Sequence, residues 1–201
     1  MVVCVALHQN DYANTMDGEN VTVNAITANG EQVNYSQEMT SEEIISMFAE
    51  ENNVSLDKAR QELFGRMKLR TNSLTATSYR ELTVVLNVTP EYKPTLRFYC
   101  SVSQGGNYWG ILDILSVQLD CNYRGTAKQF SGNVEAHLLS AYQILYIVNG
   151  TFYHYGTTTV TSSVSSSVNA GVASATYNVS EESSSNYYKY YYYSDSISFQ
   201  K

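Results

Sequence analysis

The stretch Thr157-Thr-Thr-Val160-Thr-Ser-Ser-Val164-Ser-Ser-Ser-Val168 (TTTVTSSVSSSV) decides the fold class. Every odd position in it carries a hydroxyl side chain, whereas the valines all occupy even positions. This alternation predicts a β-strand, because successive side chains of a strand point to opposite faces. After Asn169-Ala-Gly171, alanine, tyrosine and valine recur at every second position of residues 172–179. The two stretches together predict a β-hairpin.

The same two-residue period begins at residue 81. Leu82, Val84, Leu86 and Val88 alternate there with Thr83, Val85, Asn87 and Thr89. Hairpins repeated over about 120 residues predict an antiparallel β-sandwich, in the style of a jelly roll. We therefore expect a mainly β protein, α+β overall, in which a small β-hairpin and a helical hairpin precede the sandwich.

The N-terminal part of the chain has a different pattern. Residues 19–36 predict a hairpin that turns at Asn29-Gly30, a pair that tolerates the positive φ angles of a tight turn. Thr40-Ser-Glu-Glu43 forms a capping box, so we expect short helices at about 41–52 and 56–65. Two such helices are too short to be stable alone, and they either cover the sheet or dock on a partner.

Three segments follow from these patterns. Residues 1–70 form a small N-terminal segment, and the polar, aperiodic residues 71–80 form a linker. Residues 81–201 form the antiparallel sandwich.

Composition indicates an extracellular protein. Charged residues make up 15% of the 201, against ~25% in an average soluble protein, and Ser, Thr, Asn and Tyr supply the polarity. The net charge of −7 argues against nucleic acid as a partner. No apolar run approaches the ~18 residues of a transmembrane helix. Residues 1–7 are apolar without an evident signal peptide, and are either a first strand or the remnant of an export signal.

The chain contains three cysteines. Strand periodicity directs both Cys100 and Cys121 into the core, where they are candidates for a disulfide if their strands pair around residues 110–111. A tighter turn at Gly105-Gly106 would instead keep them apart as two buried thiols. Cys4 is left over and is a candidate for an intermolecular link.

No motif for catalysis or metal binding is present in the sequence. His8, His137 and His154 lack the spacing of local metal ligands, and no nucleophile elbow, phosphate loop or dinucleotide pattern occurs. Glu135 and Asp195 are weak candidates for a glycosidase carboxylate pair, although a bulge at Ser194-Asp195 explains the buried register of Asp195 more simply. We predict no catalytic residue, no cofactor and no metal site, and we expect a protein that is not an enzyme.

Tyrosine is the most prominent remaining feature. A turn at Asn149-Gly150 would place four tyrosines on one face of a hairpin. In residues 187–193, which hold six tyrosines, parity assigns Tyr191 and Tyr193 to the core side and three others to the solvent side. The predicted binding residues are Tyr142, Tyr146, Tyr153, Tyr155, Tyr188, Tyr190 and Tyr192. Such residues either stabilise the sheet as cross-strand pairs or bind a protein, a second copy or a glycan.

Three functional hypotheses follow. The first is a non-catalytic extracellular binding or adhesion protein that acts through a tyrosine-rich sheet face. The second is a self-assembling surface subunit that donates its N-terminal strand to a neighbour. The third is a hydrolase whose site is formed by residues distant in sequence.

Overall fold

The computed structural model describes residues 25–29, 32–65, 78–105, 108–164 and 171–198. Over these ranges the chain is mostly strand with two helices, which confirms the mainly β, α+β fold class. The helices are α1 Ser41–Glu51 and α2 Leu56–Phe64. The strands are β1 Ala25–Thr27, β2 Gln32–Tyr35, β3 Ser78–Val85, β4 Thr95–Gly105, β5 Tyr108–Asp120, β6 Asn122–Tyr123, β7 Thr126–Ala127, β8 Gln129–Ser140, β9 Gln143–Tyr153, β10 Thr158–Val164, β11 Val172–Val179 and β12 Tyr187–Ser198.

Ten strands form one antiparallel sheet in the order β10-β11-β8-β9-β12-β1-β2-β3-β4-β5, and β6 pairs with β7 separately. β5, at one end of this order, packs on β8 and β11 near the other end. The Leu119 N–H donates to the Tyr177 hydroxyl at 2.8 Å, and the Ile111 N–H donates to the Ala141 carbonyl at 2.8 Å. The sheet therefore folds over on itself. The finer description as a β-sandwich in the style of a jelly roll stays a prediction.

The alternating apolar positions of the strands line the core that this folding encloses. In β4, Leu96, Phe98 and Cys100 are fully buried, and in β9 Ile144 and Val148 are buried against them in the same cluster. Burial of apolar surface in this core is the main stabilising contribution to the fold. The hairpin predicted from the valine and hydroxyl alternation is present as β10 paired antiparallel with β11.

A capping box at Thr40 starts the first helix, and apolar side chains pack the helix pair against the sheet. The Thr40 N–H donates to the Glu43 carboxylate at 2.7 Å, and the Glu43 N–H donates to the Thr40 hydroxyl at 3.3 Å, which is the predicted capping box. The apolar side of the helices then packs on the outer side of β3, β4 and β5. This second cluster contains Ile44, Ile45, Phe48, Ala49, Ala59, Leu63, Tyr79, Tyr99 and Leu115.

The N-terminal hairpin belongs to the large sheet. β1 pairs with both β2 and the end of β12, and β2 pairs with β3, so the hairpin joins the two halves of the sheet. Residues 19–24 and 30–31 of the predicted hairpin, which include Gly30 of its predicted turn, lie outside the described residues. The predicted division into residues 1–70, 71–80 and 81–201 stays a prediction, since 66–77 also lie outside.

Two β-bulges change the register of β5 against β4. Tyr99 lies opposite Ser116, but Cys100 lies opposite Ile114. The extra residue, Leu115, therefore points toward the helix pair, while Ile114 points into the core. The periodicity that directs Cys121 into the core also predicts a core position for Leu115, and the bulge makes that prediction wrong.

Candidate functional site

The predicted turn at Asn149-Gly150 is wrong, because both residues lie inside β9. The chain reverses earlier, at residues 141–142, between β8 and β9. Gly150 lies directly opposite Gly132 of β8, and a Cβ on Gly150 would meet the Phe130 ring at 2.5 Å and the Gly132 Cα at 2.8 Å. The glycine is therefore required by close packing between strands, and it does not form a turn.

Because the turn lies elsewhere, the four tyrosines predicted to share one face do not lie on the same face. Tyr146 points inward and is fully buried, with its ring 5.8 Å from that of Phe98 in a T-shaped contact. It is a core residue, which corrects its prediction as a binding residue. Tyr142 and Tyr153 are half-buried, and Tyr155 is 63% exposed in the bend that follows β9.

The last strand keeps the predicted parity over most of its length. Tyr191 and Ile197 are buried on the core side, whereas Tyr190 and Tyr192 are 52% and 60% exposed on the outer side. The predicted bulge at Ser194-Asp195 is wrong, because the register from Lys189 to Ser198 against β9 is continuous.

Asp195 is consequently a buried carboxylate on the core side. The Ser196 N–H donates to it at 2.7 Å, the Tyr193 hydroxyl at 3.3 Å and the Asn29 N–H at 3.4 Å. These donors compensate for the removal of the carboxylate from water. Asp195 thus fixes the turn after β1 to β12.

A bulge does occur in β12, at the other end, between Tyr187 and Lys189. It turns Tyr188 to the core side, where its ring lies 5.7 Å from that of Tyr92 and its hydroxyl lies 2.9 Å from the Thr89 hydroxyl. Tyr188 is therefore not an outward residue, which corrects the prediction. Tyr187, which parity did not select, is 49% exposed instead.

The outward tyrosines that remain lie together on β9 and β12. Tyr187 is the register partner of Tyr153, and its hydroxyl accepts a hydrogen bond from the Tyr190 N–H at 2.9 Å. The Tyr190 hydroxyl donates to Asn149 Oδ1 at 2.9 Å, so both rings are held in place by polar contacts. We call this surface the tyrosine face: Tyr153, Tyr187, Tyr190, Tyr192, Asn149 and Thr151.

Neutral polar side chains continue the tyrosine face across the sheet. The row through Tyr192 crosses Asn149 and Asn133 and reaches Thr176, whose hydroxyl donates to Asn133 Oδ1 at 2.9 Å. The row through Tyr190 crosses Thr151. None of the residues named in these two rows carries a charge. These two rows therefore offer aromatic rings and neutral hydrogen-bonding groups, while the Glu182 carboxylate acts electrostatically on Tyr153 nearby.

The two candidate glycosidase carboxylates are not brought together. Glu135 is exposed on the outer side of β8, where it contacts the His137 ring at 3.4 Å, whereas Asp195 is buried on the core side. A sheet layer separates them, so they cannot act as an acid–base pair on one bond.

The other histidines form no metal site in the described chain. His154 is exposed, with Nδ1 3.1 Å from Lys128 Nζ, and His8 lies outside the described residues. Among the residues described, no group of three His, Cys, Asp or Glu side chains is arranged to hold a metal ion.

Cys100 and Cys121 are buried thiols in the core and are not joined to each other, so the candidate disulfide is not formed. Cys100 lies opposite Ile114, and Cys121 follows the end of β5, about 23 Å further along the chain at ~3.3 Å per residue. A disulfide requires Cα atoms within ~7 Å. Cys4 lies outside the described residues, so its intermolecular link stays a prediction.

A second polar cluster, which the sequence did not reveal, lies under the end of α1. Arg97 Nη1 is 2.8 Å from a Glu51 carboxylate oxygen and 2.6 Å from one of Glu81, and Nη2 is 3.2 Å from Asp120. The Tyr99 hydroxyl donates to Glu51 at 2.5 Å. We call Glu51, Glu81, Arg97, Tyr99 and Asp120 the carboxylate cluster. Its members come from four elements, so no local spacing in the sequence could have identified it.

Burial sets the electrostatics of this cluster. It raises the pKa of Glu51 from 4.5 to about 7, and the neighbouring Glu81 carboxylate adds to the effect, while Arg97 opposes it. Burial likewise raises the pKa of the Tyr99 hydroxyl, which therefore keeps its proton. The cluster holds three carboxyl groups for one guanidinium, an arrangement that favours a proton on one of them.

Comparison with known protein families, with curated proteins and with solved structures found no match. No helix in the described part of the chain is long and apolar enough to cross a membrane.

Proposed function

We propose that the protein is a non-catalytic, extracellular binding or adhesion protein whose recognition surface is the tyrosine face. The observation that carries this proposal is the exposure of Tyr187, Tyr190 and Tyr192 on a part of the sheet that no described element covers. Aromatic rings with polar tips supply much of the contact energy at binding surfaces because they are large and lose little conformational entropy.

The asymmetry of the sheet supports this assignment. The outer side of β3, β4 and β5 is covered by the helix pair and buries its apolar Tyr79, Tyr99 and Leu115. The outer side of β9 and β12 carries aromatic residues of similar size, but they remain exposed. Exposed large aromatic residues in a group are a more informative signal than single ones.

A neutral glycan is the ligand class that fits the tyrosine face best. Same-side residues such as Tyr190 and Tyr192 repeat every ~6.6–7 Å along a strand, so their rings form a row of stacking positions. Asn133, Asn149 and Thr176 supply donors and acceptors for sugar hydroxyls beside that row. The low charge of these rows gives no reason to expect an ionic ligand.

Extracellular placement is part of the proposal and rests on composition. A chain with 15% charged residues and many Ser, Thr, Asn and Tyr is typical of exported β proteins. The alternative of a strand-donating assembly subunit depends on residues 1–7 and Cys4, which lie outside the described residues.

A glycan array tests the proposal directly. The wild type is expected to bind a subset of neutral glycans, and the double variant Tyr190→Ala/Tyr192→Ala is expected to lose that binding. The matched control is Tyr155→Ala, which removes an equally exposed ring from the bend after β9. A wild type that binds no glycan, or a control that loses binding to the same extent, rejects the proposal.

A further inference from the structure

The carboxylate cluster joins the end of α1 to the sheet. Glu51 is the last residue of α1, and its carboxylate makes polar contacts with both Arg97 and Tyr99 of β4. Apolar side chains of the helix pair and of β3, β4 and β5 pack together beside this cluster. The ionisation of Glu51 therefore affects the stability of the contact between the helix pair and the sheet.

Every strand beneath Glu51 presents a charged or ionisable group to it. β3 contributes Glu81, β4 contributes Arg97 and Tyr99, and β5 contributes Asp120. The guanidinium is thus shared, and it cannot neutralise all three carboxylates at once. An ionised Glu51 faces two like charges at short range in a half-buried setting, where their repulsion is poorly screened.

The helix itself adds to this repulsion. The C-terminal end of a helix carries a partial negative charge, which favours basic side chains there. The last turn of α1 has no basic residue and ends instead in Glu50 and Glu51. Glu50 is exposed and meets water, whereas the Glu51 side chain is only 25% exposed beside Arg97, so the cost of ionisation falls on Glu51.

We propose that Glu51 is a proton-sensitive switch that holds the helix pair on the sheet when it is protonated and weakens that contact when it is ionised. A protonated carboxyl group still accepts the Tyr99 hydrogen bond and one from Arg97, but it no longer repels Glu81 and Asp120. When α1 leaves the sheet, α2 moves with it, because Arg60 of α2 forms a salt bridge with Glu42 of α1 at 2.8 Å. Detachment exposes the apolar sides of both helices and of β3 to β5.

The sign of the pH dependence follows from linkage. The pKa of Glu51 is about 7 in the closed form, against 4.5 for a free side chain. The form with the helices on the sheet therefore binds more protons than the open form. The stabilisation that this proton gives is fully present below pH 4.5 and is lost as pH rises through about 7. These two values predict that the helix-opening equilibrium constant rises about tenfold between pH 6 and pH 8.

Hydrogen exchange on the full-length protein tests this switch. After correction for intrinsic exchange, we expect the protection of the α1 amides in residues 44–49 to fall about tenfold from pH 6 to pH 8. Glu51→Gln, which mimics the protonated side chain, should keep the same protection at both values. Glu50→Gln, an adjacent exposed substitution, should behave like the wild type.

Two results would overturn the proposal. The first is wild-type protection of α1 that does not change between pH 6 and pH 8, or changes equally in Glu51→Gln. The second comes from NMR of the wild type alone. The proposal predicts that the carboxyl carbon of Glu51 titrates with a midpoint near pH 7. A midpoint below 5 would show that Glu51 ionises too early to act as the switch.

Discussion

Gly132 of β8 and Gly150 of β9 lie directly opposite each other, so close that a Cβ on either one would overlap the facing strand. The Phe130 ring packs over Gly150 and fills the space that a side chain would need. This close contact lets β8 and β9 pair in continuous register from Gln129 to Leu138 of β8.

Gly150→Ala should therefore destabilise the protein by about 1–3 kcal/mol, the usual cost of forcing an extra methyl group into a packed site. Urea unfolding followed by circular dichroism measures this loss. The control is Asn149→Ala at the exposed neighbouring position, which should cost less than about 1 kcal/mol. Similar losses at both positions would instead indicate a tight turn, where asparagine and glycine both contribute to the backbone geometry.

Tyr92→Phe should cost about 1 kcal/mol of unfolding free energy, because it removes a buried hydrogen bond while leaving the ring in place. The Tyr92 hydroxyl donates to the Cys121 carbonyl oxygen at 2.6 Å, and the ring contacts Tyr123, Phe152 and Tyr188. Tyr192→Phe, on the exposed side, should be neutral to within ~0.5 kcal/mol in the same urea titration. A neutral Tyr92→Phe would contradict the buried hydrogen bond.

Cys100 and Cys121 should not react with iodoacetamide in the native protein at pH 8, and both should react in urea. Both thiols are buried, and burial raises the pKa of Cys100, so the reactive thiolate is scarce. Peptide mass spectrometry of labelled and unlabelled protein identifies each cysteine separately. Labelling under native conditions, or a peptide that joins the two cysteines, would contradict the fold of β4 and β5.

Local signals predicted the elements whose structure depends on neighbours in sequence. The alternation of valine and hydroxyl residues predicted β10 and β11, and the Thr40 capping box predicted the start of α1. In both cases the same residues that carry the signal form the structure. Parity likewise placed Tyr190 and Tyr192 on the outer side of β12.

Features that depend on distant strands were not predictable in this way. Asn149-Gly150 is a strong turn signal, but contact with Gly132 and Phe130 of another strand overrides it. The bulge between Tyr187 and Lys189 reverses the side of Tyr188, and no residue type marks its position. The carboxylate cluster exists because sheet register brings residues from β3, β4 and β5 under α1.

The central claim, that the tyrosine face is the binding surface, predicts that a charge placed beside it blocks binding. Ser194 is exposed on the outer side of β12 next to this surface, and Ser46 is exposed on α1. Ser194→Lys should weaken binding of the glycan selected on the array at least tenfold, about 1.4 kcal/mol, in equilibrium titration. Ser46→Lys should leave the affinity unchanged. Equal affinity of wild type and Ser194→Lys would contradict the claim.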